Sequence, residues 1–153
     1  SQTYLLCDQW QPEDRLMMQV YADQSASITA EYALSDSQTA ALRLHRARRY
    51  DPGLVSLIMD WTLPADSPPL SVALHIYDAD DALIRQQDFA LDQASGRTCN
   101  RYQISLQGLP PGDYRLDAVF YNVQSGERFA PTHATLETSS DARLSLMPIT
   151  IFD

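Results

Sequence analysis

The chain has 153 residues, 44% of them hydrophobic, and a formal net charge of −9. That length suits one domain with a core of its own, because a domain of about 150 residues buries roughly 68–70% of its unfolded surface. The acidic balance sets phosphate backbones and anionic membranes against it, which excludes nucleic acid as a partner class, and no apolar run reaches the roughly 18 residues that span a bilayer. The chain begins at Ser1 and reads as an excised or processed piece.

In chain order, Tyr4–Cys7 reads as a short strand. Pro12 then opens a helix to about Asp23, with Leu16, Met17, Val20 and Tyr21 forming one apolar stripe. Alternation predicts strands over Ser27–Leu34 and Thr39–Arg49, the second with Ala40, Leu42 and Leu44 inward. The next strand carries Val55, Leu57, Met59, Trp61 and Leu63. With Leu54 and Ile58 on its other face, it is expected to be central and covered on both sides. Leu70–Ile76 and Leu83–Leu91 read as a hairpin about the turn Asp78–Ala82. Asp92–Asn100 reads as a loop and Arg101–Leu106 as a strand.

Pro110–Pro111–Gly112 is a corner, because each proline fixes its φ and Gly112 tolerates a positive one. A strand runs on from Tyr114 to Asn122, and a tyrosine placed there reads as a tyrosine corner, its hydroxyl bonded to nearby backbone. Pro131–His133 is expected to be irregular and Thr135–Thr138 a short strand. Arg143–Phe152 closes the chain, with Pro148 marking an edge. Many short strands with turn punctuation predict a mainly β fold, an antiparallel immunoglobulin-like sandwich with one N-terminal helix. All 153 residues form one domain, with 1–38 as a strand–helix–strand addition and 39–153 as the sandwich.

Candidate chemistry is sparse. His75 and Asp88 are expected on one face of the hairpin, with Ile84 and Gln86 beside them. A cross-strand bond is the plain reading of that pair and ligand binding the functional one; no GxSxG elbow supplies a nucleophile. Trp10, in a loop, is a candidate platform for stacking a sugar, whereas Trp61 belongs to the core. Asp78, Asp80 and Asp81 lack the glycine and glutamate of a calcium loop, so no metal site is assigned, and no cofactor is implied. The basic run from Arg43 to Arg49 is expected to split, with Arg43, His45 and Arg49 on one face and Arg46 and Arg48 on the other, most of them in surface ion pairs. Cys7 and Cys99 have no framework spacing. Two buried thiols are the simpler reading, and one disulfide in an oxidising compartment is the alternative.

A family pattern joins these segments. It comprises Trp61, then His75 and Asp78, Gln87 and Asp88, Pro110, Pro111, Gly112 and Tyr114, and finally Tyr121, Ser125, Gly126 and Arg128. Over about residues 54–129 the chain resembles the C-terminal extracytoplasmic β-sandwich of bacterial multi-span, mannosyltransferase-like glycosyltransferases that use lipid-linked sugars. It departs from that pattern at Asp80–Asp81, where Asp-Gly is expected. The resemblance implies a non-catalytic accessory or binding domain, extracytoplasmic and part of a membrane protein. Its partners would be carbohydrate or other domains of the same protein, without membrane insertion of its own. It carries no catalytic residue over, and implies structural roles for Trp61, Pro110, Pro111, Gly112 and Tyr114. The alternative is a free-standing carbohydrate-binding module.

Overall fold

The computed structural model describes residues 29–50, 53–92 and 96–153, apart from the side chain of Arg46. The expected strand Tyr4–Cys7, the helix Pro12–Asp23, Cys7 and Trp10 all lie outside the described residues.

The described residues are mainly β and contain no helix. One sheet holds β1 (Thr29–Ala33), β2 (Thr39–Tyr50), β3 (Leu54–Thr62), β6 (Arg97–Ser105) and β9 (Pro131–Ala134), in the order β6-β3-β2-β1-β9. The other holds β4 (Leu70–Asp78), β5 (Leu83–Ala90), β7 (Gly112–Asn122) and β10 (Leu144–Ile151), in the order β10-β7-β4-β5. The short β8 (Arg128–Phe129) is added to β7. Each of these pairings is antiparallel.

The sheets face each other across one core. Ala30 and Tyr32 on β1, Leu42 and Leu44 on β2, Leu57, Met59 and Trp61 on β3 and Tyr102 on β6 meet Val72, Leu74, Ile76, Leu116 and Phe120 from the second sheet. The Trp61 and Phe120 ring centroids are 4.7 Å apart, and Tyr32 meets Phe120 edge-on at 4.8 Å. Aromatic pairs in such geometry add about 0.5–1.5 kcal/mol beyond the area they bury. Hydrophobic alternation accounts for most of these strands, since period-2 side chains cannot be buried together in any other local structure.

At the corner before β7, the Tyr114 hydroxyl donates to the Pro110 carbonyl at 2.6 Å, and Gly112 takes φ 151°. That dihedral is strained for any residue with a Cβ, which is why a glycine stands there.

Several expectations need correction. β3 lies inside its sheet, between β6 and β2, as expected, but the strand covered most completely on both faces is β4, buried from Leu70 to Tyr77, whereas β3 leaves Leu54 and Ile58 half-buried. β6 starts at Arg97 within the expected loop, because Thr98 pairs with Trp61 and Cys99 with Asp60, both buried. Pro131–Ala134 is a strand: after β8 the chain crosses between sheets to pair with β1. Thr135–Thr138 contributes only an isolated bridge, from Thr138 to Leu144.

Bulges account for the other departures. An extra residue in one strand reverses the alternation beyond it. The register shift between Leu44 and Arg46 puts Arg49 opposite Val55, on the side from which its guanidinium donates to the Thr150 carbonyl of β10. Arg49 therefore parts from Arg43, which is opposite Asp60. The expected ion pairs are replaced here by that carbonyl bond and by Arg48 lying over the Tyr50 ring. A second shift, between Ile76 and Tyr77, frees Ile84 from the outer face, and Ile84 packs against the core.

Candidate functional site

The outer face of β4 carries Ser71, Ala73, His75 and Tyr77, because the residues between them point into the core. Register places Ala90, Asp88 and Gln86 of β5 opposite Ser71, Ala73 and His75. On the other side, Tyr121, Val119, Asp117 and Arg115 of β7 stand opposite Ser71, Ala73, His75 and Tyr77. His75 and Asp88 therefore share a face, as expected, but as diagonal neighbours, and Gln86 is the direct partner of His75.

Two polar networks cover this face. At one end Asp81, in the β4–β5 turn with φ 62°, takes bonds from Arg115 at 2.7 Å and Arg143 at 3.2 Å. Arg115 Nε also reaches both oxygens of buried Asp117 at 3.0 Å, and Arg143 Nη1 lies 3.7 Å from the same carboxylate. Arg143 Nε donates to Asp141 at 2.7 Å, and Ser139 donates to that carboxylate as well. Both guanidiniums lie over the Tyr77 ring, Arg143 at 4.1 Å and Arg115 at 5.3 Å from its centroid.

The electrostatics follow from these contacts. The bonds from Arg143 and Arg115 hold Asp81 below the usual carboxylate range, and Ser139 with Arg143 draws Asp141 down to about 2. Burial pushes the Asp117 carboxyl up even though Arg115 and Arg143 pull the other way. An Asp78 oxygen accepts from the backbone of Asp80 and Ala82, so this acidic turn organises itself.

The second network spans β4 from side to side. The Tyr121 hydroxyl donates to Asp88 Oδ2 at 3.1 Å, and Gln86 donates to Asp88 Oδ1 at 3.0 Å. Asp88 and Tyr121 thus meet across β4, from strands that are not paired with each other. His75 is 3% exposed. Its Nδ1 bonds the Tyr77 hydroxyl at 2.9 Å, and its Nε2 is buried with no hydrogen-bond partner among the described residues. Burial first, then Arg128, pushes this imidazole below its ordinary pKa.

On the first sheet, Asp60 of β3 is clamped by Arg97 of β6 at 2.8 and 2.9 Å and approached by His45 of β2 at 3.4 Å. Burial raises its pKa, but Arg97 and His45 outweigh that and hold it below the usual range. Among the described residues, no group of three or more His, Cys, Asp or Glu could hold a metal ion.

Of the residues singled out from sequence, Trp61 is wholly buried in the core and Tyr114 holds the corner. Pro110 supplies the acceptor carbonyl for Tyr114, while Pro111 and Gly112 lead into β7. Trp10 lies outside the described residues. Sequence reasoning placed Gln86 on the hairpin face and Tyr121 in the family pattern but gave neither a role, and it passed over Arg143. The alternation of β7 already put Tyr121 on the same face as Asp117, but nothing local shows that β4 lies between β7 and β5. Cys99 is fully buried and disulfide-bonded, which overturns the simpler reading of free thiols for it; the other cysteine of the sequence, Cys7, lies outside the described residues. Set against known protein families and curated proteins, the chain matches no family model and no curated protein.

Proposed function

We propose that the chain is an immunoglobulin-like, non-catalytic accessory and binding domain of an extracytoplasmic part of a membrane protein, one associated with glycosyl transfer. The immunoglobulin-like assignment is supported by connectivity. β2, β3 and β6 follow the A-B-E arrangement of one sheet, and β10, β7, β4 and β5 the G-F-C-C′ arrangement of the other. Tyr114 then stands near the start of the strand equivalent to F, where a tyrosine corner belongs.

The observation that carries the functional reading is how the ionisable groups are used. Asp60, Asp81, Asp117 and Asp141 each bind arginines that tie neighbouring strands or turns together, an arrangement that holds a framework. Catalysis instead calls for acids and bases converging on one reacting atom. The buried disulfide at Cys99 supports an oxidising compartment. The link to glycosyl transfer rests on the sequence resemblance over residues 54–129.

The test is accessibility in intact source cells. The chain has no lysine, so the label is directed at carboxylates: a membrane-impermeant biotin hydrazide coupled by carbodiimide is expected to label the protein before lysis, and a non-reducing peptide digest to show Cys99 cross-linked. Labelling only after lysis, with a free Cys99 thiol, would overturn the placement and with it the accessory role.

A further inference from the structure

We propose that the outer face of the second sheet binds a neutral sugar residue over Ser71 and Ala73, through Asp88, Gln86 and Tyr121. This rests on the reading of the chain as a binding domain and specifies its ligand. Ser71 and Ala73 are the smallest side chains on that face of β4, with Tyr121 and Val119 beside them on β7 and the small Ala90 and the longer Asp88 on β5. Above this floor Asp88 accepts from Tyr121 on one side and from Gln86 on the other.

Asp88 differs from Asp60, Asp81, Asp117 and Asp141. It is exposed, and among the described residues no cation pairs with it. Each of its oxygens accepts one bond and has lone-pair capacity for another. The Gln86 carbonyl and its second amide hydrogen are likewise available. Opposite Gln86 on β4, His75 holds a buried ring nitrogen that has no hydrogen-bond partner among the described residues.

These groups select a ligand class. An anion is repelled by an unpaired carboxylate. A metal ion would find only one anionic ligand among these groups, and the described residues offer no cluster to complete its shell. A pyranose presents adjacent hydroxyls that donate as a pair to one carboxylate, accept from an amide, and leave an apolar C–H face for the Tyr121 ring. A hydroxyl that displaced the Gln86 side chain would also meet the idle nitrogen of His75.

The experiment is an NMR titration of the isotope-labelled full chain with the methyl glycosides of glucose, galactose and mannose. We expect the amide signals of Ser71, Gln86, Asp88 and Tyr121 to move together for at least one glycoside. For a single sugar the dissociation constant should be on the order of 1 mM. Asp88→Ala and Tyr121→Phe should each weaken binding about 10-fold, as loss of a charged or hydroxyl partner does. Asp88 is exposed, so its Ala and Asn variants should stay folded with thermal midpoints within about 5 °C of wild type, and Asp88→Asn should retain part of the binding. The proposal is overturned if no glycoside moves these signals, or if binding persists undiminished in Asp88→Ala. A chain that is labelled on intact cells yet binds no glycoside here sinks the sugar site alone and leaves the accessory reading standing.

Discussion

The Tyr114 ring belongs to the core cluster while its hydroxyl leaves that core to reach the carbonyl of Pro110. One side chain thus fixes both the path of the corner and the start of β7. Tyr114→Phe keeps the ring and removes only the bond. A single neutral hydrogen bond contributes about 0.5–1.5 kcal/mol net, so the variant should unfold about 1 kcal/mol more easily in urea. Because the apolar surface buried is unchanged, the slope with denaturant should stay the same and only the midpoint move. Equal midpoints would mean the corner is held by Pro110, Pro111 and Gly112 alone.

Asp60 works between elements. It stands on β3, with Arg97 on β6 and His45 on β2, so one carboxylate ties three adjacent strands. Its folded pKa lies below the unfolded value, so its contribution is present above about pH 3.9 and lost as the pH falls through the folded pKa. Asp60→Asn should therefore be less stable than wild type at pH 7, and the gap should close toward pH 2. A constant gap in chemical denaturation at the two pH values would place the effect in packing rather than charge. The strands that form this sheet were legible where alternation is strict, as at Ala40, Leu42 and Leu44 or at Leu57, Met59 and Trp61. β9 was not, because Pro131–Ala134 carries no apolar pattern and becomes a strand only by pairing with β1, far away in sequence. The bulges at Leu44 and Ile76 were equally hidden, since register shifts are settled by the partner strand. The candidate site shows the same division. A hairpin places His75 and Asp88 on one face from local sequence, but the bond from Tyr121 to Asp88 depends on the order β7-β4-β5, which is a property of the whole sheet.

At the level of the whole molecule, the ionisable groups give the fold an acid response in two separate windows. His75 is buried on the outer face of β4, with Arg128, Asp88, Arg143 and Asp141 acting on it and Asp117 opposite it on β7. Its folded pKa lies below the unfolded value of about 6.5. Above that pH both states are neutral at this site and it has no pH-dependent effect. As the pH falls through about 6.5, the unfolded chain takes up a proton that the folded chain refuses, so stability declines until the folded imidazole also protonates. Asp60, Asp81 and Asp141 are depressed and act later. Their stabilisation persists down to about pH 4 and fades below it, Asp141 reaching about 2. Asp117 has the opposite sign: burial raises its folded pKa, so protonation near and below that value favours the folded state and offsets part of the carboxylate loss. The first loss on acidification thus belongs to His75. Thermal midpoints measured from pH 8 to pH 4.5 should fall below about pH 6.5 in wild type. His75→Gln has no titrating ring, so its profile should be flatter over the same range, whatever its absolute stability. Parallel profiles for the two proteins between pH 6.5 and 5 would mean that another group, and not the buried imidazole, sets the acid limit of the fold.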